Sequence, residues 1–515
     1  MDINKKNTLR LIYGRTIIVI SLILIQLGVL LFTFKWLSKY HIYIYGGFTV
    51  ISAIITLFII NSKSNPAYKL AWIIPVLLIP VFGGLFYLFV HIQSTAKLLN
   101  KKHQNILKET APYLKQDAEI ISKIKEISIQ GANLCHYISN IAGYPTYRSE
   151  EITYFPLGED KFKELLSQLE KAEKFIFLEY FIIQESYMWN SILEILKKKV
   201  KEGVEVRVMY DGMCCLAMLP YSYPKKLESF GIKAKMFSPI MPVLSTYQNN
   251  RDHRKILVID GKVAFTGGIN LGDEYINRIE RFGHWKDTAI MVTGEAARGF
   301  TMMFLQMWNI TEKEPENYDK YLNKSNVTVE DCSGGFITPY GDSPFDDDNV
   351  GKDVYMDIIN TAKEYVHIMT PYLILDNEMI TTLIYAVKRG IDVKIILPHI
   401  PDKPMAFALA HNHYPQLLES GVKIYEYIPG FVHAKVFTSD NEKAVVGTIN
   451  LDYRSLYLHF ECAAYMFKCP VIKDIEEDFQ DTLSKCKEMT LEDYKNFSLF
   501  HRLEGHVLKL FAPLM

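Results

Sequence analysis

The sequence lacks the cysteine pattern of a disulfide-rich or zinc-binding protein. Its 515 residues include seven cysteines, an odd number, and no two of them are spaced as C-x-x-C. The neighbours Cys214 and Cys215 would form an unusual disulfide. This usage excludes a disulfide framework and a structural zinc site, so we predict no metal and expect most of the thiols to be buried.

The sequence also lacks an excess of charge of either sign. Its 57 lysines and arginines nearly balance its 58 aspartates and glutamates, which gives a formal net charge of −1. A protein that binds the phosphate backbone of a nucleic acid usually presents a basic face. We therefore predict no nucleic-acid partner.

Apolar residues are abundant, at 49% hydrophobic and 13% aromatic content. Three uncharged apolar runs open the chain, at residues 16–34, 42–60 and 70–90. Each run is long enough for a helix to cross a hydrocarbon core of about 30 Å. We predict a membrane region over residues 1–95 with about three transmembrane helices, and hence a multi-pass protein of the cell membrane.

The basic residues around these runs give the membrane orientation only a small bias. Those before the first run, and those between the second and third runs, favour the inside for both segments. Three spans then leave the rest of the chain at the extracytoplasmic surface, which we favour. Lysines that flank the first external turn and follow the third run oppose this bias, so the face stays open. The residues considered are Lys5, Lys6, Arg10, Arg15, Lys63 and Lys69, against Lys35, Lys39, Lys97, Lys101 and Lys102.

Beyond a linker predicted over residues 96–139, a strand–helix–strand pattern occurs twice. KAEKFIFLEYFII is followed by an amphipathic helix that ends at Gly203 and then by VEVRVMYDG. The same order returns as KEYVHIMTPYLI, a helix that ends at Gly390, and IDVKIILPH. A repeat of this length, about 180 to 190 residues, is too long for a solenoid unit and indicates two similar α/β domains. We place them at residues 140–325 and 326–515.

Each domain carries one copy of the pattern H-x-K-x4-D-x6-G-[GT]-x-N. Every interval is identical in the two copies although the connecting residues differ, which a coincidence of strand-end residues would not produce. The first copy also contains an apolar run and an Asp-Gly pair that predict a hairpin. The positions are His253, Lys255, Asp260 and Asn270 in the first copy, and His433, Lys435, Asp440 and Asn450 in the second.

These residue types together suit phosphoryl chemistry. Imidazole can serve as a nucleophile or as a general acid and base, lysine neutralises phosphate oxygens, and asparagine donates where negative charge grows. Two copies that meet across a pseudo-twofold interface would form one phosphate-binding site. One histidine would attack phosphorus to give a phosphohistidine, and the other would protonate the leaving alkoxide. Asp260 and Asp440 either orient a histidine or fix the hairpin turn, and both alternatives stay open.

The doubled motif resembles the signature of the phospholipase D superfamily. Within that superfamily, NPAYKLAWIIPVLLIPVFGGLFYLF, GGINLGDEY, HWKD and GTINLDYRSLYLHFE resemble the bacterial cardiolipin synthases. The resemblance implies two tandem phospholipase D-like α/β domains with pseudo-twofold symmetry, preceded by transmembrane helices. It also implies a phosphatidyltransferase that needs no cofactor and joins two phosphatidylglycerol molecules into cardiolipin, releasing glycerol.

By motif match, His253, Lys255, Asp260, His433, Lys435 and Asp440 are the catalytic candidates, and Asn270 and Asn450 join the two lysines in binding phosphate. The superfamily favours His253 as the nucleophile. The partners implied are phosphatidylglycerol and cardiolipin, whereas hydrolysis instead of transfer, the acceptor alcohol and the oligomeric state stay open.

Two further stretches border the motifs. Thr448 and Glu461 are predicted to support the site by hydrogen bonds, with a helix start and surface capping as the alternative for the Glu461 stretch. The stretch Trp285-Lys286-Asp287 is predicted either to lie near the first motif or to form an edge strand with a solvated charge pair.

Overall fold

The computed structural model describes residues 31, 41–78, 83–84, 87–88, 94–216, 218–239, 249–312, 314, 316–322, 334–346 and 348–514. The first predicted span, 16–34, lies outside the described residues except for residue 31. The second coincides with helix α1 (His41–Ile60), and the third overlaps helix α2 (Pro66–Leu78). Among the described residues, no helix combines the length and the apolar character needed to cross a membrane. The transmembrane helices stay a prediction.

The segment predicted as a linker is helical and packed. It forms α3 (Ser94–Thr110), α4 (Ala118–Ile127) and α5 (Ile129–Ile141). The Asp117 side chain caps α4 by accepting a hydrogen bond from the Glu119 N–H, and Ile120 and Ile124, one turn apart, are buried. The buried face of α5 packs on the second domain and α3 packs on residues 297–309 of the first, so these helices join a core that both domains share.

The first domain is built on a seven-stranded sheet. Its strands are β2 (Ile152–Phe155), β3 (Phe175–Tyr180), β4 (Glu205–Asp211), β5 (Lys233–Phe237), β6 (Lys255–Ile259), β7 (Val263–Gly267) and β9 (Ala289–Thr293). Their order in the sheet is β2-β9-β7-β6-β3-β4-β5. Strands β3, β4 and β5 are parallel, and the other neighbours are antiparallel. The helices are α6 (Gly158–Glu170), α7 (Tyr187–Lys201), α8 (Tyr223–Glu228) and α9 (Ala297–Asn309).

The second domain repeats this sheet and adds one strand at each edge. Its own strands are β10 (Phe336–Asp342), β11 (Tyr365–Met369), β12 (Asp392–Pro398), β13 (Lys423–Tyr427), β15 (Val436–Ser439), β16 (Lys443–Gly447), β17 (Glu461–Phe467) and β18 (Cys486–Glu488). Strand β1 (Tyr147–Arg148) precedes the first domain's sheet in sequence yet pairs with the second, giving the order β1-β10-β17-β16-β15-β11-β12-β13-β18. The helices are α10 (Val350–Thr361), α11 (Asn377–Lys388), α12 (Pro404–Glu419), α13 (Tyr453–Tyr457), α14 (Val471–Leu483), α15 (Leu491–Asn496) and α16 (Leu499–Lys509).

The prediction of two repeated α/β domains is confirmed by these sheets. A third, two-stranded parallel sheet joins the domains, because β8 (His284–Lys286) of the first pairs with β14 (Gly430–Val432) of the second. A matching parallel bridge links Asp252 to Phe460. The strand that leads into each motif histidine therefore pairs with a strand of the opposite domain, which brings both motifs to the domain interface.

Candidate active site

The first motif histidine bonds to a carboxylate of the other domain. His253 lies two residues before β6, and its backbone N–H donates to the Phe460 carbonyl over 2.9 Å. Its Nδ1 lies 2.9 and 3.0 Å from the two carboxylate oxygens of Glu461, at the start of β17. Glu461 is fully buried and His253 nearly so. These two residues are named the first half-site.

The second motif histidine shows the same arrangement in reverse. The His433 N–H donates to the Lys286 carbonyl over 2.7 Å. Its Nδ1 lies 2.6 Å from Oδ2 of Asp287, which follows β8 in the first domain. His433 and Asp287 are named the second half-site. Each histidine thus takes its orienting carboxylate from the opposite domain, so neither half-site is complete within one repeat.

Burial sets the protonation of the two imidazoles, and the buried carboxylates oppose its effect. Burial lowers the pKa of His253 well below its ordinary value, although the charge of Glu461 opposes the change. Burial likewise lowers the pKa of His433 to about 4, with Lys435 adding to the effect and Asp287 opposing it. Burial works to raise the pKa of both carboxyl groups, but the facing histidines hold it below the ordinary range. Each carboxylate is therefore charged, and each neutral imidazole donates Nδ1–H and keeps its Nε2 lone pair.

The motif lysines and asparagines follow the same strands. Burial lowers the pKa of Lys255 to about 8 and that of Lys435 to about 7. Each ammonium donates to the backbone carbonyl of the histidine in its own motif, over 2.5 Å for Lys255. Asn270 accepts from the Ile182 N–H over 3.0 Å and donates to the Tyr275 hydroxyl over 2.9 Å. Asn450 is buried, and its Oδ1 has no hydrogen-bond partner within the described part of the chain.

The motif aspartates do not contact the histidines. The Asp260 carboxylate accepts hydrogen bonds of 2.7 to 2.8 Å from three consecutive backbone N–H groups at the start of β3, at residues 173–175. Asp440 does the same for residues 363–365 at the start of β11, over 2.9 to 3.0 Å. Both aspartates have a left-handed backbone, with φ of 54° and 57°. These contacts favour the hairpin alternative, because the orienting carboxylates are Asp287 and Glu461.

The residue that follows the first motif glycine differs between the two copies. This difference explains how the shorter Asp287 side chain fits one half-site and the longer Glu461 side chain fits the other. The Thr448 hydroxyl donates to Glu461 Oε2 and accepts from the Cys462 N–H over 3.0 Å. Gly268 occupies the equivalent position in the first motif, and a Cβ there would collide with the carboxylate of Asp287. The hydrogen bond of Thr448 agrees with its predicted supporting position.

The walls of the two half-sites differ. His459 and Phe181 lie beside the first, with their ring centroids 5.5 and 4.8 Å from that of His253. Trp285, which occupies the position equivalent to that of His459, two residues before the carboxylate, lies 5.4 Å from His433. Tyr275 and Phe431 also pack on His433, at 5.6 and 5.9 Å.

Only one of these groups has the composition of a metal site. His253, His459 and Glu461 offer ligand atoms that all lie within 4.8 Å of one another, in the described part of the chain. The group contains His253, the candidate nucleophile, so an ion held there would use one of the two nitrogens of that imidazole.

The position of Asp287 could not be predicted from the sequence. The charged residues around the first motif were not predicted either. Arg254 forms a buried ion pair with Glu179 over 2.6 Å, and Arg251 lies 3.4 Å from Asp211. The available signal for Asp287 was a carboxylate that closes a short run after each motif, HWKD in one domain and LHFE in the other. That signal does not say which histidine each carboxylate meets.

The chain is similar to known protein families over most of its length. The family described as "Cardiolipin synthase, PLD-like domain" matches residues 165–308 and 355–483, and "Phospholipase_D-nuclease N-terminal" matches residues 48–90. A cardiolipin synthase of Alkalihalophilus pseudofirmus is 34% identical over 91% of this chain and 93% of its own length. An uncharacterized protein of Streptococcus mutans is 53% identical over 89% of this chain and 99% of its own length.

Among solved structures, phosphatidylserine synthase of Haemophilus influenzae Rd KW20 superposes with a TM-score of 0.53 at 14% identity. The match covers 74% of this chain and 98% of that one and shows that the two share a fold. The chain belongs to the cardiolipin synthase family of the phospholipase D superfamily. It is an enzyme of the phosphatidyltransferase class.

Proposed function

We propose that the protein transfers a phosphatidyl group from one phosphatidylglycerol to a hydroxyl of another, which gives cardiolipin and glycerol. The observation that carries the proposal is the crossed pairing of His253 with Glu461 and of His433 with Asp287. Two imidazoles with free Nε2 lone pairs at one interface suit a reaction with one nucleophile and one acid–base group.

In the first step, Nε2 of His253 attacks phosphorus, and the bond from phosphorus to the oxygen of the headgroup glycerol breaks. His433 gives a proton to that oxygen, so glycerol leaves as a neutral alcohol. The negative charge of the bound phosphodiester favours the protonated form of His433, which supplies the acid when substrate arrives. Lys255 and Lys435 balance charge on the phosphoryl oxygens.

In the second step, the hydroxyl of another phosphatidylglycerol attacks the phosphohistidine. His433 accepts the hydroxyl proton, the bond between phosphorus and nitrogen breaks, and neutral His253 is restored. No oxidant, metal or cofactor enters either step. Both steps use the same groups, so the reaction is reversible.

The proposed substrates are membrane lipids, so the enzyme works at a bilayer surface. The match of residues 48–90 to the phospholipase D-nuclease N-terminal family and the apolar sequence of that segment support membrane attachment. We propose an extracytoplasmic position of the two domains, which the small charge bias slightly favours. Protease digestion of intact cells from which the wall has been removed tests it, since domains on the cytoplasmic side stay protected.

Incubating the detergent-solubilised protein with phosphatidylglycerol alone tests the proposed reaction. We expect cardiolipin and glycerol in equal amounts. Phosphatidic acid as the main lipid product would show that water is the acceptor and would overturn the transfer proposal.

A further inference from the structure

The last helix, α16, is packed on one side only. Its inner face lies against α12, where a Cβ on Gly505 would come within 2.7 Å of the Ala408 carbonyl oxygen. This glycine lets the two helices approach closely. His501 Nε2 lies 2.9 Å from His411 Nδ1 at the same contact.

The outer face of α16 and its continuation carries large apolar side chains in the open. Leu499 and Phe500 are each 77% exposed, and Leu503 is 60% exposed. The exposed residues recur every three or four positions, so they form one stripe along the helix. The stripe, named the α16 stripe, consists of Leu499, Phe500, Leu503, Val507, Leu510 and Phe511.

The α16 stripe continues onto α2. Residues 512–514 follow α16 and lie against α2, and Ala512 shares a small apolar cluster with Ala67 and Tyr68. Helix α2 exposes Leu70, Ile74, Leu77 and Leu78. A stretch of exposed apolar surface on a protein of this size marks a contact with a partner or a membrane.

This surface adjoins the active-site side of the second domain. Tyr68 of α2 packs edge-on against Tyr453 and Tyr457 of α13, each at 5.9 Å. The Asn65 amide donates to the Tyr457 hydroxyl over 2.9 Å. Because α13 begins three residues after Asn450, α2 is anchored beside the second motif.

We propose that the α16 stripe lies in the headgroup region of a lipid bilayer, next to α2, which belongs to the third predicted span. The polar residues of α16 agree with an anionic bilayer, because Arg502 and Lys509 outnumber the acidic Glu504. The choice of an anionic lipid rests on the proposed function, whose substrate is anionic. Contact at this place would present the active-site side of the second domain to the lipids on which it acts.

Depth measurement on the full chain tests the contact without any turnover. A fluorophore on Phe500→Cys is compared with one on Lys473→Cys, whose side chain is 78% exposed on α14, a helix with no exposed large apolar residue among those described. The labelled unsubstituted protein gives the background from the native thiols. In vesicles of phosphatidylglycerol and phosphatidylcholine with brominated acyl chains, we expect strong quenching at position 500 and little at 473. Equal quenching, or none at 500, would overturn the proposal.

A second experiment separates membrane contact from chemistry. Leu503→Asp places a charge in the α16 stripe, far from the histidines in sequence and outside the catalytic residues. We expect cardiolipin formation from vesicles to fall about tenfold while formation in detergent micelles stays unchanged. An equal loss in both, or no loss in vesicles, contradicts the surface. If neither preparation makes cardiolipin even with the unsubstituted protein, the proposed function fails while the quenching result still stands.

A different observation singles out His459. Its side chain is buried, and neither ring nitrogen has a hydrogen-bond partner among the described residues. The Nδ1 atom lies 3.7 Å from Glu461 Oε1, too far for a hydrogen bond. A buried polar group without a partner is costly, which indicates that a ligand atom completes it.

We infer that His459 binds a hydroxyl of the glycerol headgroup at the first half-site. Either ring nitrogen can pair with a hydroxyl, because the protonated nitrogen donates to the hydroxyl oxygen and the other nitrogen accepts the hydroxyl proton. This inference rests on the proposed function, because it names the part of the substrate that His459 contacts. Trp285 holds the equivalent position at the second half-site and has no acceptor, so only one side of the site can read the hydroxyl in this way.

Substrate variation tests this role. For His459→Phe we expect kcat/KM for phosphatidylglycerol to fall about 10-fold to 100-fold, mainly through KM. For a lipid whose headgroup is plain propanol, kcat/KM should stay within about twofold, and His459→Gln should recover part of the loss with phosphatidylglycerol. Equal losses with both lipids would show a structural role and contradict the inference.

Discussion

Both motif histidines pack against aromatic rings, but buried charged residues flank His253 in the sequence, whereas buried apolar residues flank His433. Arg254, between the histidine and lysine of the first motif, forms a buried ion pair with Glu179. Ala434 holds the equivalent position in the second motif. Asp252 likewise corresponds to Val432, and both are buried.

The groups that would touch phosphate are nevertheless the same in both half-sites. Each histidine meets a buried carboxylate of the opposite domain, and each lysine donates to the carbonyl of its own histidine. Matched geometry in unlike surroundings suits a reaction in which the two imidazoles bind one phosphate but perform different steps. Environments that differ in charge and polarity are how proteins give similar groups separate roles.

Removing either imidazole destroys one of the two half-sites and should have the largest effect, because the reaction needs both. We expect His253→Ala and His433→Ala each to lower cardiolipin formation by at least about 10³-fold, because a nucleophile and a proton carrier are both required. Product analysis with phosphatidylglycerol measures it. Near-normal turnover in either variant would exclude a shared two-histidine site.

Replacing the carboxylate of each half-site tests whether the two half-sites perform different steps of the reaction. Glu461→Gln and Asp287→Asn keep the shape but remove the charge that holds each imidazole in its Nδ1–H form, so we expect losses of about 10²-fold to 10⁴-fold. Asp287→Asn should impair proton donation to the leaving group by His433, whereas Glu461→Gln should impair the attack on phosphorus by His253. With a nitrophenol leaving group, which needs no proton, the first step of Asp287→Asn should recover and that of Glu461→Gln should not. Recovery in both variants would show that the half-sites have the same role.

The lysines predict a moderate effect of pH. Burial lowers the pKa of Lys435 to about 7 and that of Lys255 to about 8, so raising the pH through this range removes positive charge from the phosphate site. We expect kcat/KM to fall as pH rises above about 7. Lys435→Arg stays charged and should move the fall to higher pH, at a lower maximum. If kcat/KM of this variant fell at the same pH as that of the unsubstituted protein, the titrating group would not be Lys435.

The motif aspartates should give the smallest effect on activity. Asp260→Asn weakens the hydrogen bonds at the start of β3, which we expect to cost about 1 kcal/mol of unfolding free energy. Turnover should stay within about twofold, and Asp440→Asn serves as the matched control in the other domain. Thermal unfolding and product assays on the same preparations measure both quantities. A large loss of turnover in a stable variant would show that the substituted aspartate orients a histidine.

The motif residues could be predicted because the same polar residues recur at identical intervals in two copies of the sequence. His253, Lys255 and their counterparts follow from the pattern, as do Asn270 and Asn450. The carboxylate partners could not be assigned, because the distance from Asp287 to His433 depends on how the two domains dock. Asp260 shows the opposite case, in which a residue with a fixed interval holds a strand start and touches no reacting group.

The fold shows the same division between local and long-range information. Apolar strands and glycine-terminated helices predicted the two α/β domains. Helices α3 to α5 were expected to be a linker, since their composition does not show that residues such as Ile124 and Ile138 are buried in the core that both domains share. Strand β1 likewise pairs with residues 336–337, far away in sequence.

The most direct measurement is the burst of nitrophenol from phosphatidyl-nitrophenol in single-histidine variants. If His253 is the nucleophile and His433 the proton carrier, His433→Ala should release about one nitrophenol per active site and then slow sharply, because the first step no longer needs an acid. His253→Ala should release none. A burst in His253→Ala with none in His433→Ala would reverse the assignment, and no burst in either variant would contradict the covalent intermediate.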